Sequence, residues 1–292
     1  MNIVVLIAQP GSLDPALPES LRNAWGGGDV TWLSPDEAAE FPMRNIPSNA
    51  SAISETLRSQ GVDFNIVPAE NRQKRLLLAD MDSTMIEQEC IDELAAQAGI
   101  GDRVAGITAR AMNGEIDFEA ALEERVSLLK GLSVEVIDTV IANRVTFMPG
   151  GATLVATMRA NGATAALVSG GFTAFTAYVA ETLGFQSHRA NTLLTRNGTL
   201  TGTVAKPILG RDAKITRLDE LTAELGLANA DVLAVGDGAN DLGMLSRAGM
   251  GVAAHAKPVV AQEAMYRIDH TDLTALLYLQ GIGRDAFAQP SA

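Results

Sequence analysis

The chain has 292 residues, 47% hydrophobic and 4% aromatic, with a formal charge of −13. Its pI of about 4.7 argues against a general binder of nucleic acid or anionic membranes, which attract basic surfaces, but leaves a small anionic substrate open because local charge decides that. It has no run of ~18 apolar residues to span a membrane, and residues 1–8 lack the basic start of a signal peptide. The single cysteine, Cys90, excludes an intrachain disulfide and suits a reducing cytoplasm.

Residues 1–72 read as a small α+β domain. NIVVLIA (2–8) is a strand, and LDPALPESLRNA (13–24) a short helix with Asp14 at the N-cap and Pro15 at the first helical position. DVTWLS (29–34) is a second strand, NASAISETLRSQG (49–61) a helix that stops at Gly61, and VDFNIVPA (62–69) a third strand. Residues 35–47 show no clear period. The alternation suits a ferredoxin-like, regulatory domain, with ENRQKR (70–75) as a polar connector.

From Leu76 short apolar strands alternate with amphipathic helices. RLLLAD (75–80) is the first strand. Residues 89–148 then interrupt the rhythm with consecutive helices. ECIDELAAQAG stops at Gly99 and RVAGITARAMNG at Gly114; DFEAALEERVSLLKG starts at an Asp117 cap, and SVEVIDTVIANR at a Ser133 cap. A helical insert directly after the first strand would form a cap over that strand's end. Residues 73–88 and 149–292 supply the rest of this second unit. ATAALVS (163–169), DVLAVGD (231–237) and GMGVAA (249–254) are further strands. GGATLVATMRANG (150–162) and RDAKITRLDELTAELG (211–226) are helices, the latter with Ile215, Leu218, Leu221, Thr222 and Leu225 on one face. Such alternation implies a parallel sheet with right-handed crossovers. NTLLTRNGTLTGTV (191–204), with Asn197-Gly198 at its centre, is a hairpin.

Ligands of an open parallel sheet bind beyond the carboxyl ends of its strands. Three strands end there in functional groups: Asp80-Met81-Asp82-Ser83-Thr84, Ser169-Gly170-Gly171 and Gly236-Asp237-Gly238-Ala239-Asn240-Asp241. Gathered carboxylates need protons or a cation, and their oxygens suit a hard ion such as Mg²⁺. A serine hydroxyl beside two glycines offers donors to an anion, and Lys214 could add a fixed positive charge. The combination suggests phosphoryl transfer.

D-x-D-S-T at 80–84, S-G-G at 169–171, the lysine at 214 and G-D-G-x-N-D at 236–241 occur in order with fitting spacing across residues 74–292. In these motifs the chain resembles the haloacid-dehalogenase (HAD) superfamily of phosphotransferases. DMDSTMIEQECIDELA, FEAALEERVSLLKGL, VSGGF and VGDGANDLGML are similar to its branch that hydrolyses O-phosphoserine in the last step of serine biosynthesis. The first 70 residues lie outside the resemblance. It implies an α/β fold with a HAD-like Rossmannoid parallel sheet and an inserted helical cap. It also implies a cytoplasmic phosphoric monoester hydrolase that uses Mg²⁺ and a small-molecule substrate, with neither nucleic acid nor membrane as partner.

The resemblance makes Asp80 the nucleophile and Asp82 the general acid and base. Mg²⁺ is then held by the Asp80 carboxylate, the Asp82 backbone carbonyl, Asp237 and, through a water, Asp241. Ser169, the Gly170 N–H, Lys214 and Asn240 bind the phosphate. Glu89 takes the substrate ammonium and Arg125 its carboxylate, while Met112 and Phe118 close over the site. Thr84 orients the first loop. Plainer roles stand beside these: Asn240 and Asp241 also stand where they would cap the helix NDLGMLSRAG, and Cys90 reads as a small buried side chain. His188, His255 and His270 show no zinc-ligand spacing. His255-Ala256-Lys257-Pro258 is expected at the rim without a catalytic role. Competing functions are transfer of the phosphoryl group to an alcohol, hydrolysis of another small phosphorylated amino acid such as phosphohomoserine, and amino-acid sensing through residues 1–72.

Overall fold

In the computed structural model, which describes residues 1–112 and 115–290, the chain begins with β1 (Asn2–Ile7), α1 (Ala16–Trp25), β2 (Thr31–Ser34), β3 (Ala38–Met43), α2 (Ala50–Ser59) and β4 (Asp63–Pro68). The sheet order β2-β3-β1-β4 is antiparallel throughout, and this βαββαβ succession is that of ferredoxin-like folds. β3 occupies the stretch without a visible period. Ala39, Phe41 and Met43 are buried and alternate with half-buried Glu40 and Pro42, but the alternation is short and carries a proline, which in a sequence argues against a strand. α1 starts one residue later than expected. Asp14 Oδ1 accepts the Ala16 N–H at 2.9 Å, while Pro15 takes the cap position.

The second sheet is parallel and runs β12-β11-β10-β5-β6-β7. Its strands are β5 (Leu76–Ala79), β6 (Thr164–Phe172), β7 (Ser187–Asn191), β10 (Val232–Gly236), β11 (Met250–Ala254) and β12 (Tyr266–Ile268). β5 is buried on both faces between β6 and β10. The chain leaves it outward on one side through β6 and β7, and returns on its other side through β10, β11 and β12. The order therefore reverses between β5 and β10, which opens a crevice at their carboxyl ends. α7 (Gly151–Ala160), α8 (Thr173–Leu183), α9 (Arg211–Leu225), α10 (Leu242–Arg247), α11 (Pro258–Glu263) and α12 (Ala275–Leu279) complete this part. On α9, Leu218, Leu221 and Thr222 are buried as expected, but Leu225 is 39% exposed at the helix end. Lys214, four residues before Leu218, joins the buried stripe instead.

Between β5 and α7 lie α3 (Cys90–Gln97), α4 (Gly101–Met112), α5 (Phe118–Ser127) and α6 (Glu135–Arg144). The Asp117 cap forms, its carboxylate accepting the Ala120 N–H at 2.8 Å; the expected stop at Gly114 lies outside the described residues. α6 begins two residues after Ser133, whose Oγ accepts the Glu135 N–H at 3.3 Å. The segments entering and leaving this insert run antiparallel, with Glu87 N–H on the Thr146 carbonyl and Met148 N–H on that of Met85, both at 3.0 Å. The hairpin of β8 (Leu193–Arg196) and β9 (Thr199–Val204) braces the insert from behind through Gly131 N–H to Leu200 and Val134 N–H to Gly198.

The two sheets meet edge to edge. Asn65 on β4 both donates to the Arg267 carbonyl (2.9 Å) and accepts its N–H (3.0 Å). This side chain does for the outer edge of β12 what a neighbouring strand would. Asp63, fully buried, gathers the N–H groups of Asp269, His270 and Thr271 and the Thr271 hydroxyl. The polar connector is held as well: Arg72 pairs with Glu40 at 2.7 Å and donates to the Tyr278 and Leu279 carbonyls. Among the described residues no helix is long and apolar enough to cross a membrane.

Candidate active site

Asp80 is the first residue past β5, and Asp237 the first past β10. The parallel register sets Ala79 beside Val235, and the Asp80 N–H donates to the Val235 carbonyl at 3.0 Å. Both acids therefore emerge at the same rim. The chain then turns sharply: the Met81 carbonyl accepts the N–H groups of Thr84, Met85 and Ile86, and Ser83 adopts the left-handed region at φ 54°. A non-glycine residue there is uncommon and persists where the surroundings hold it. The turn lets two acids only two positions apart find different partners. Asp80 Oδ1 meets Lys214 Nζ at 2.7 Å. Asp82 instead accepts from Ser169 Oγ at 3.0 Å and from the Cys90 N–H at 2.9 Å.

Lys214 bridges Asp80 and Asp241, the second at 2.6 Å. Asp241 stands at the N-cap of α10 but makes no capping bond, which corrects the expectation of a dual role. Its other oxygen accepts the Gly238 N–H at 3.0 Å. Ser169 Oγ also accepts the Gly171 N–H at 2.8 Å, and Thr84 reaches Asp237 at 3.2 Å. Glycine is required at 171 by crowding, since a Cβ there would stand 2.6 Å from Asp82 Oδ2. Asn240 is half-buried with its side chain against Gly238.

The electrostatics follow from burial. Asp80, Asp237 and Asp241 are 5%, 5% and 0% exposed, and each offers an oxygen within 4.8 Å of the others. Burial, then the Asp241 carboxylate, push Asp80 well above the ordinary carboxylate range, with Lys214 working the other way. Burial also raises Asp237. Burial disfavours the charge on Lys214, but Asp80 and Asp241 outweigh it and hold the ammonium above its usual value. Three buried carboxylates share this buried ammonium, and such an excess is tolerated with protons or a cation. An all-oxygen donor set fits a hard divalent ion, so these residues can hold a metal.

The insert supplies the opposite wall. Phe118 lies over Gly170 and Gly210, close enough that a Cβ on Gly170 would meet its ring at 3.1 Å. Glu89 accepts from Ser83 Oγ at 2.9 Å, and burial, then Asp82, push its carboxyl up to about 7. Arg125 is half-buried, its Nε on the Ala121 carbonyl at 3.2 Å. Burial lowers its pKa, with Asp92 and Glu89 opposing. Among the described residues no carboxylate lies within 4 Å of its guanidinium, which leaves the fork open to a ligand. Burial likewise raises the Cys90 thiol, making it inert. The Met112 side chain lies outside the described residues.

The structure thus brings Asp80, Asp82, Ser169, Gly170, Lys214, Asp237, Asn240 and Asp241 to one rim and sets Glu89, Arg125 and Phe118 in the insert. One charged group near the site is not expected from the sequence: Asp92, one turn beyond Glu89 on α3, bears on Arg125, and its i, i+3 spacing from Glu89 is the available signal. Lys257, expected at the rim without a catalytic role, approaches Asp237 at 3.6 Å.

Residues 77–246 match the model of the haloacid dehalogenase-like hydrolase family. The chain is 42% identical over 293 residues to a phosphoserine phosphatase of Streptomyces coelicolor, covering 97% of this chain and 71% of that one. Among solved structures, a HAD family hydrolase from Salmonella enterica serovar Typhi superposes with a TM-score of 0.86 at 30% identity, covering 95% and 97% of the two chains. A probable phosphoserine phosphatase from Vibrio cholerae in unliganded form gives 0.80 at 33% identity, covering 98% and 88%.

Proposed function

The chain belongs to the haloacid dehalogenase-like hydrolases, and we propose that it is a phosphoserine phosphatase, hydrolysing O-phosphoserine to serine and phosphate. The carrying observation is the junction of Asp80, Lys214, Asp237 and Asp241 at the sheet's switch point, faced by Glu89 and Arg125 from the insert. In this reading an Asp80 oxygen attacks phosphorus, the bond from phosphorus to the serine oxygen breaks, and Asp82 gives that oxygen a proton. Asp82 then takes a proton from the water that attacks phosphorus, the bond from phosphorus to the Asp80 oxygen breaks, and phosphate leaves with the carboxylate regenerated. The Cys90 N–H aims the Asp82 carboxyl through Oδ1, while the Ser169 hydroxyl, which donates to Oδ2 in this structure, turns to the phosphoryl group when substrate is bound. Lys214, Ser169, the Gly170 N–H and Asn240 meet the phosphoryl oxygens. Mg²⁺ would be held by Asp80, the Asp82 carbonyl, Asp237 and, through water, Asp241, and when bound it neutralises charge developing on those oxygens.

Serine phosphate also carries an ammonium and a carboxylate. Glu89 takes the first and Arg125 the second, with Phe118 excluding water above them. We assign residues 1–72 as a regulatory N-terminal domain, 89–148 as the cap, and 73–88 with 149–292 as the catalytic core, in a cytoplasmic enzyme. The test is phosphate release from a panel of phosphorylated metabolites with and without Mg²⁺, with homoserine added as acceptor. Release from phosphoserine to water is expected. Rapid hydrolysis of another metabolite with none of phosphoserine would overturn the substrate, and phosphohomoserine formation would make the enzyme a transferase.

Two consequences are specific to the insert. Arg125→Ala is expected to lower kcat/KM for phosphoserine roughly 10²-fold, the scale of a lost partner in a desolvated charge pair, while sparing a simple aryl phosphate. Equal loss on both substrates would mean that Arg125 serves the fold. As pH falls through about 7, Glu89 becomes protonated and loses its hold on the ammonium. The acid limb of kcat/KM should therefore bend near pH 7. In Glu89→Gln it should move to about 6, where the substrate phosphate itself titrates, on a lower plateau. An unmoved limb would remove Glu89 from substrate binding.

A further inference from the structure

We propose that Lys257 is a further positioning residue for the reaction, a mouth cation that draws the phosphate in and holds metal affinity down. It rests on the phosphatase reading for its substrate, but its bearing on the metal site stands on geometry alone. Lys257 follows β11, and its backbone is fixed: its own N–H donates to the Asp237 carbonyl at 3.0 Å and that of His255 to Ile268 at 2.8 Å. His255 takes the left-handed region at φ 47°, so the chain bends back toward the crevice before Pro258 opens α11. The side chain ends 3.6 Å from Asp237 Oδ2, beyond hydrogen-bond reach, and is 50% exposed. Among the described residues its ammonium makes no hydrogen bond, so its donors are free for an incoming oxyanion. Its charge reaches both walls, favouring the ionised forms of Asp237 on the core and of Glu89 and Asp92 on the insert.

The need for such a charge follows from the totals. The protein carries −13 overall, and the crevice gathers Asp80, Asp82, Asp237, Asp241, Glu89 and Asp92. Against them stand Lys214, buried beneath this rim and already paired twice, and Arg125, half-buried in the insert. A phosphate dianion approaching from solvent meets mostly negative field, and a half-exposed ammonium at the entrance lowers that barrier. The same ammonium sits beside Asp237, one of three clustered carboxylates whose geometry can hold a cation, and so repels a cation bound there. One residue thus acts with opposite signs on the two guests, which a merely structural role would not do.

The test compares wild type, Lys257→Gln and the charge-retaining Lys257→Arg. For Lys257→Gln, KM for phosphoserine is expected to rise at least about 5-fold, the effect of one unit charge about 4 Å away in bulk water, and more as the crevice lowers the effective dielectric. Its kcat should fall less than about twofold, and the salt dependence of kcat/KM should flatten. Calorimetric titration of the metal-free protein with Mg²⁺ should show tighter binding by about threefold or more, and titration of the Mg²⁺-loaded protein with inorganic phosphate weaker binding. Lys257→Arg should restore most of each change. Weaker binding of both Mg²⁺ and phosphate would show that Lys257 only supports the loop, and unchanged binding of both would equally overturn the proposal. If wild type does not hydrolyse phosphoserine, the substrate assignment fails, and the two titrations still decide the role of Lys257.

Discussion

Replacing Asp80 with asparagine is expected to abolish turnover of phosphoserine, by on the order of 10⁴-fold or more, as removal of an enzyme's nucleophile does. No phosphoenzyme should be trapped by acid quench. The fold should survive, because the native carboxylate is held against its environment: burial and Asp241 both disfavour its charge. A neutral amide of the same shape removes the repulsion from Asp241 while Lys214 keeps that second partner at 2.6 Å. Denaturant unfolding of Asp80→Asn without added divalent ion should therefore match wild type or exceed it. Asp80 would then be a residue retained for chemistry at the expense of stability. Label retained on another residue would refute the assignment of the nucleophile.

Lys214→Met should reverse that pattern by damaging fold and rate together. Lys214 is 2% exposed and is the bridge between Asp80 and Asp241. Methionine fills a similar volume but leaves two buried carboxylates facing each other, and breaking a buried pair from one side costs about 3–5 kcal/mol. The denaturant midpoint should drop accordingly, with less loss at low pH, where Asp80 takes up a proton. The direction follows because burial already raises the folded-state pKa of Asp80 and Lys214 opposes that rise, so removing the ammonium raises it further. Such a group destabilises once ionised, and the penalty fades as pH falls below that pKa. Turnover at neutral pH should fall on the order of 10²- to 10³-fold beyond any loss of folded protein, since a fixed charge aimed at the phosphoryl oxygens is lost. Unchanged stability with lost activity would mean that the two carboxylates find another counter-charge.

Chain-local physics made much of this legible in advance. The all-apolar β5, the alternation of strands with helices after it, the glycine stops and the Asp117 cap are written within short windows. The ends of three strands share a rim because parallel order follows from that alternation. Asp80, Asp82, Ser169 and Asp237 were therefore readable as one site before any coordinate, while Lys214, within a helix, joined them through the family resemblance. Tertiary structure alone decided matters that depend on which distant segment fills a neighbour's space. Asp241 stands at a helix start, yet its carboxylate answers Lys214, 27 residues earlier. Asp63 is an unremarkable acid in the sequence and became the anchor for a turn 206 to 208 residues away. Lys257 is expected at the rim from the sequence, but only the bend at His255 places its ammonium beside Asp237. Periodicity and caps report the surroundings within a turn or two of chain. The partner of a charge is set by long-range packing, where burial makes a single unmatched group expensive enough to select one arrangement.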